Sequence, residues 1–294
     1  MPCYKPVTGY FDKDGRFTQK ETDLPGEIPC GKCIGCRLDR AQEWSIRCWH
    51  ESQLHWENSF VTLTYDNDHV PKDYSINPEH LTKFIRSLRK KNRDTKIRYY
   101  GVGEYGEQTL RPHYHVLLFG FEPKDKVIYG ENKQGDNQYE SEYLDAIWKK
   151  GKTITGNVTM QSAGYCARYI MKKIGGDLAE KHYQRVNPLT GELHQVLPEF
   201  ARMSTKPGIA HEWFKKFKTD VYPSDFVTNG GRKIRPPRYY DKLYEKADPE
   251  GFEQLKAERR KDGYDQRWNS TDERLAVRKE VKESRIGQLS RNSI

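Results

Sequence analysis

Two short runs in this 294-residue chain carry side chains whose types and spacing could do chemistry. The first is His113-Tyr114-His115. In an extended strand alternate side chains share a face. Both imidazoles would therefore project together, while Tyr114, Val116 and Leu118 turn into apolar packing. Two imidazoles on one face make two legs of a divalent-metal site. Two half-exposed strand histidines would have the same spacing, so a third ligand decides between the readings. If the preceding run, Ile97 to Tyr105, pairs with the histidine strand as a hairpin, Glu104 lies near the histidines, with Glu107 as its rival. The second run is Tyr165-Cys166-Ala167-Arg168-Tyr169-Ile170-Met171-Lys172-Lys173. Tyrosines at i and i+4 share a helix face. Each is followed three residues later by a cation, Arg168 and then Lys172, and a nearby cation favours a phenolate or steadies a phosphate beside it. Aromatic packing at helical spacing, with exposed bases, is the competing reading.

A third cluster is Cys30, Cys33 and Cys36, one half of the chain's six cysteines. Such tight spacing, with no apolar leader between Met1 and Tyr10, argues for reduced thiols rather than a disulfide framework. Three thiolates with Cys48, His50 or Cys3 as the fourth ligand would make a structural zinc knuckle. An iron–sulfur cluster and simple free thiols are the alternatives.

The elements that must position these residues follow from pattern. Residues 1–29 are polar, with Gly and Pro, and read as loop or hairpin. Arg37 to about Trp56 fits a helix. Phe60 to Tyr65 is β-branched and aromatic and reads as a strand. Asn77 caps a helix with Pro78 at its first position; Leu81, Phe84, Ile85 and Leu88 form its buried stripe. Its basic face, Lys83, Arg86, Arg89 and Lys90, is a candidate single-strand groove, with Tyr99, Tyr100 and Tyr105 available for base stacking. Ile97–Tyr105 and residues 111–120 are the next two strands, and residues 121–138 a polar insertion. A helix from Tyr139 to Lys150 ends at Gly151, a fourth strand runs from Lys152 to Met160, and a helix spans about Ala163 to Ile174, stopped by Gly175-Gly176. The order βαββαβ followed by a helix predicts an α+β fold: a ferredoxin-like, RRM-like core whose central antiparallel sheet carries His-x-His, with a tyrosine helix after it. The expected division is 1–56, a cysteine-containing arm and helix; 57–176, the catalytic core; 177–240, a basic extension; and 241–294, a charged, partly disordered tail.

Composition narrows the class. The net charge is +9, aromatic residues make up 12% and the mean hydropathy is −0.99. No run approaches about 18 consecutive apolar residues, so no membrane span is expected. Residues 81–120 hold nine basic and three acidic side chains, and residues 165–240 fourteen and seven. The excess charge therefore falls on the stretches that carry the histidines and tyrosines, pointing to a polyanionic partner such as nucleic acid.

Taken together and in this order, the motifs resemble the HUH endonuclease superfamily. The paired tyrosines resemble its microvirus rolling-circle replication initiators, especially the gokushovirus-like branch. Phe60 to Tyr65 occupies the place of that family's first motif. Gly103-Glu104-Tyr105-Gly106-Glu107 and Arg111-Pro112-His113-Tyr114-His115 are similar to its strand pair. The cysteine-rich start, Ser204 to Gly208 and Pro236 to Tyr240 also look like this branch, so the resemblance spans about Cys30 to Tyr240. Arg168 stands where related sequences can carry Lys; the cation is kept. The resemblance implies a single-strand DNA endonuclease with strand-joining activity. Its magnesium or manganese would sit at His113, His115 and Glu104. Tyr165 and Tyr169 would be its nucleophiles, Lys172 a catalytic cation, and Arg168 and Lys173 contacts to DNA. It also implies a replication origin as substrate, a host helicase and polymerase as partners (the chain has no Gly-x-x-x-x-Gly-Lys-Ser/Thr loop of its own) and the cytoplasm of a bacterial host as location. A plasmid initiator or transposase of the same superfamily, a non-catalytic single-stranded-DNA-binding or packaging protein, and a water-using metal phosphodiesterase are the rival readings.

Overall fold

The computed structural model describes residues 3–106, 108–132, 134–169, 178–187 and 190–289. Two compact units are formed, one by residues 41–220 and the other by residues 1–40 with 221–294.

The 41–220 unit is built on a seven-stranded sheet. Its strands run in the order Phe200–Met203, Arg98–Tyr105, Pro112–Phe119, Asn58–Thr64, Thr153–Gly156, Asn137–Glu140 and Val127–Glu131, each antiparallel to its neighbours. The four expected core strands thus stand in the order second, third, first, fourth, which is the split βαβ plan of an α+β, ferredoxin-like core. One face is covered by α2 (Pro78–Lys91) and α3 (Glu142–Trp148). Leu81, Phe84, Leu88, Leu144 and Trp148 pack there on Val61, Leu63, Tyr114, Val116 and Leu118. The Asn77 side chain accepts the Glu79 N–H at 2.9 Å, so α2 starts where its cap and proline put it.

The other face receives α4 (Met160–Tyr169) and the 41–52 portion of α1 (Ile34–Ser52). Trp44 lies 5.0 Å from the Tyr100 ring. Glu51, only 3% exposed, accepts from Arg98, from the Ala210 N–H at 2.6 Å and from His55 at 3.3 Å. Burial pushes the Glu51 carboxyl up, but these donors outweigh it and hold it below the ordinary carboxylate range. A depressed folded value means stability that is complete above the unfolded value of 4.5 and is lost as pH falls through the folded one. Glu51→Gln is therefore expected to cost about 1.5–3 kcal/mol at neutral pH. In urea titrations the gap between wild type and variant should close as the pH drops below 4.5; a gap independent of pH would refute the ionised assignment.

Three features differ from the pattern reading. Residues 121–138 are not a plain insertion. Val127–Glu131 and Asn137–Glu140 form a hairpin that widens the sheet, turned by Asn132, whose side chain accepts the Gln134 and Asp136 N–H groups at 2.9 and 2.8 Å. Phe200–Met203, inside a stretch with no clear pattern, pairs with Arg98–Tyr105 at the sheet edge. Tyr100 and Tyr105 are buried, and Tyr99 is half-buried beneath the Arg89 guanidinium, so the three are not a stacking platform. Arg89 itself donates to the Ile97 carbonyl at 3.0 and 2.8 Å, fastening α2 to the sheet.

Gly151 closes the link from α3 to the fourth core strand. Its φ is +139°, and a Cβ there would lie 2.4 Å from Asp66 N and from Thr64 O, between the Thr64 N–H to Lys152 O and Asp66 N–H to Lys150 O hydrogen bonds. Gly151→Ala is expected to lower the urea midpoint by the equivalent of about 1–3 kcal/mol without changing its slope.

In the second unit, Val7–Phe11 pairs with Phe17–Thr18 and Pro25–Ile28. Helices Arg238–Ala247, Pro249–Asp265 and Asp272–Leu289 occupy most of the region read from charge alone as a partly disordered tail. Their buried apolar residues, Tyr240, Phe252, Leu255 and Leu275, are too sparse to give a periodic signal. Arg259 also ties two of these helices together, bridging Asp225 (2.7 Å) and Asp241 (2.9 Å). Among the described residues no helix is long and apolar enough to cross a membrane.

Candidate active site

The histidine strand and its hairpin partner build the site. Glu104 pairs directly with His113, and Thr62 on the far side pairs with His115. Directly opposed residues of an antiparallel pair point to the same face, so Glu104, His113, His115 and Thr62 all project toward α4, away from the α2 core. His113 Nε2 and His115 Nε2 lie 2.7 and 3.2 Å from the same Glu104 oxygen, Oε1. One ligand atom from each of the three residues lies within 4.8 Å of the others. Glu104 is 3% and His115 5% exposed. The rival carboxylate, Glu107, lies outside the described residues.

The second ring nitrogens are held from behind. His113 Nδ1 is 3.2 Å from the Arg111 carbonyl, and His115 Nδ1 is 3.0 Å from Thr62 Oγ1. A carbonyl only accepts, so His113 Nδ1 carries the proton, and in the neutral ring Nε2 is a lone pair aimed at a carboxylate oxygen. Only with a proton on Nε2 as well does His113 donate to Glu104 across this 2.7 Å contact; loss of that proton leaves two acceptors facing each other, a conflict that a cation held by all three side chains would remove. The donor set of two imidazole nitrogens and a carboxylate, each oriented from the outside, therefore fits a divalent metal. Burial pushes the Glu104 carboxyl up, while the hydrogen bonds of His113 and His115 bring it below its ordinary value, so it stands ready as an anion.

The tyrosine helix lies on the same face. Its first turn is closed reciprocally: Thr159 Oγ1 accepts the Ser162 N–H at 3.1 Å and Ser162 Oγ accepts the Thr159 N–H at 2.8 Å. Ala163, Cys166 and Ala167 are fully buried, small side chains that let α4 approach the sheet. Tyr165 is half-buried, its ring edge-on to His115 at 5.1 Å and to Phe60 at 6.0 Å. Phe60 in turn stacks on His115 at 5.5 Å. Arg168 is exposed, and Tyr169 is the last described residue of the helix. Lys172 and Lys173 lie outside the described residues.

The pattern reading did not single out Thr62, Phe60 and the Arg111 carbonyl as supports of the histidines. Phe60 and Thr62 stand two apart on a strand, which marks them as face-sharing, but only the register with Leu117 and His115 brings them to the site. The basic face of α2 belongs elsewhere. Lys83, Arg86 and Lys90 are exposed on a helix that covers the opposite face of the sheet from the histidines, so they do not line a groove into this site.

Comparisons with known proteins identify the family. Residues 58–174 match the family described as replication-associated protein ORF2/G2P. The chain is 34% identical to the replication-associated protein VP4 of Bdellovibrio phage phiMH2K over 263 residues, 85% of this chain and 79% of that protein. It is 35% identical to the replication-associated protein ORF2 of Spiroplasma virus 4 over 231 residues, 74% of this chain and 68% of that one. It is 34% identical to the replication-associated protein ORF4 of Chlamydia phage 1 over 177 residues, 57% and 44% of the two chains. No solved structure matches.

Proposed function

Because the chain belongs to the family of replication-associated proteins of microvirus-like phages, we propose that it starts rolling-circle replication by cutting one DNA strand through a tyrosine. The observation that carries this reading is the half-buried Tyr165 ring set against His115, within the Glu104–His113–His115 triad's own face of the sheet. A divalent cation held by the triad would supply Lewis-acid polarisation of the scissile phosphate. The imidazoles favour manganese over magnesium, whose preference is for oxygen.

The chain's own part is nucleophile, orientation and support. The hydroxyl oxygen of Tyr165 or Tyr169 attacks phosphorus in line. The bond to the 3′ oxygen breaks, and that oxygen takes up the proton the tyrosine loses. The products are a 5′-phosphotyrosine and a free 3′-OH that can prime a polymerase. Attack by a 3′-OH on the phosphotyrosine reverses the step and joins strands without ATP, since the phosphodiester energy is stored in the covalent link. A second tyrosine allows a second cut while the first still holds DNA. Thr62 and the Arg111 carbonyl fix the histidine rings. Arg168, Lys172 and Lys173 supply positive charge for the strand, and Lys172 steadies the phosphate. The substrate is the single-stranded or origin DNA of a phage in a bacterial cytoplasm, with helicase and polymerase provided by the host.

The test is incubation with origin-bearing single-stranded oligonucleotides and Mn²⁺, followed by a denaturing gel. A protein–DNA adduct that survives denaturation is expected. Cleavage without an adduct would favour a water-using phosphodiesterase, and DNA binding without cleavage under any metal would favour a binding or packaging protein. Thr62→Val, which removes the support of His115 Nδ1, is expected to raise the Mn²⁺ concentration for half-maximal cleavage about 10–100-fold.

A further inference from the structure

Far from the histidines in sequence, four sulfurs converge in the 1–40 and 221–294 unit. Cys3, Cys30, Cys33 and Cys36 each place Sγ within 4.8 Å of the other three. All four are free thiols. Cys3 Sγ and Cys33 Sγ are 3.8 Å apart, far beyond the ~2.05 Å of a disulfide. Four thiolates about 2.3 Å from a central zinc in tetrahedral array stand about 3.8 Å from one another. A multi-iron cluster needs its cysteines spread around a larger body, so this tight grouping suits a single ion.

The backbone around the sulfurs is arranged for thiolates. The Cys30 N–H donates to Cys3 Sγ at 3.2 Å, the Cys33 N–H to Cys30 Sγ at 3.3 Å and the Tyr4 N–H to Cys33 Sγ at 3.4 Å. Gly31, at φ +73°, makes the tight turn that brings Cys30 and Cys33 together. Cys36 sits in the first turn of α1, where exposed N–H groups favour negative charge.

The segment also lacks the means to hold itself. From Lys5 to Ile34 no side chain is buried, so the three-stranded sheet has no hydrophobic core of its own. Segments of this kind are commonly stapled by disulfides or by a structural metal. Cys48 and His50, the other possible fourth ligands, are engaged elsewhere. Cys48 is fully buried in the 41–220 unit, and the His50 ring is stacked on Trp213 at 3.5 Å.

We propose that Cys3, Cys30, Cys33 and Cys36 form a four-thiolate structural zinc site that clamps the start of the chain to the N-terminal end of α1. The site is separate from the endonuclease reading and stands or falls without it.

The full chain, purified without chelator, is expected to hold about one zinc per molecule at this site by elemental analysis. Its cobalt-substituted form should display the intense visible bands of tetrahedral cobalt thiolate. Those bands should persist in the His113→Ala, His115→Ala variant and in Cys48→Ser, and weaken and shift in Cys3→Ser. The wild type alone provides a second measurement. Cys3, Cys30 and Cys33 are partly exposed and should resist a thiol reagent until the zinc is extracted, then react. Immediate reaction of these thiols in the folded protein as purified, before any extraction, would overturn the proposal. So would cobalt bands unchanged in Cys3→Ser, or iron in place of zinc.

Discussion

The double variant Tyr165→Phe, Tyr169→Phe is expected to form no covalent DNA adduct, a fall of at least about three orders of magnitude, as when other enzymes lose a nucleophile. The substitution is well suited to the question. Tyr165 contributes a ring to the edge-on packing with His115 and Phe60, and phenylalanine keeps that ring while deleting only the hydroxyl. The fold should therefore be little affected, and DNA binding by fluorescence anisotropy at fixed salt should change only a few-fold. Each single variant is expected to retain one covalent cut and to lose the alternation of cuts that strand exchange on a circle requires. An adduct surviving in the double variant would point to a different nucleophile.

Removal of the triad should be as severe. Lewis-acid stabilisation of a phosphoryl transition state is worth several kcal/mol. His113→Ala or His115→Ala should thus lower the cleavage rate by roughly a thousandfold or more, each tenfold being about 1.4 kcal/mol. Because His115 is buried, its loss also leaves a void, so Glu104→Gln is the cleaner probe. It keeps the shape and the pairing with His113 but removes the charge that opposes a cation. Its cleavage at saturating Mn²⁺ should fall steeply while its circular dichroism spectrum stays that of the folded wild type. Full cleavage by Glu104→Gln and by both alanine variants would rule out the triad as the metal centre.

Much of this site was legible from local pattern, and the reason is geometric. A strand repeats every two residues, so His113 and His115 had to share a face and Tyr114 had to oppose them; Tyr114 is indeed fully buried on the α2 side. A helix repeats every 3.6 residues, so Tyr165 and Tyr169 read as a pair. Asn77 and Pro78 announced α2 because a cap and a proline act within one turn. The exposed hairpin at residues 127–140 was less visible, since Val127, Ile128 and Tyr129 are all exposed and give no alternation. The edge strand Phe200–Met203 is half-buried throughout and equally lacks a two-residue rhythm.

The basic face of α2 is instructive. Its charge was plain in the sequence, and so was its buried stripe, but nothing local says which side of a sheet a helix will cover. That choice depends on which apolar surface is left open after distant strands have paired. Here α2 takes the Tyr114 face and α4 the His115 face, so the basic run and the candidate metal centre end up on opposite sides of one sheet.

By itself, then, the sequence determined the periodic facts: which residues alternate, which share a helix face, where caps and turns begin, and where positive charge concentrates. Those follow from backbone geometry within a few residues. Only the tertiary structure decided the register that sets Glu104 opposite His113 and Thr62 opposite His115. It alone chose the sheet face that receives the tyrosine helix, and it alone brought Cys3 back to sulfurs some thirty residues away. Contacts of that kind are selected by burial and pairing among distant segments, a balance that no single stretch of sequence contains.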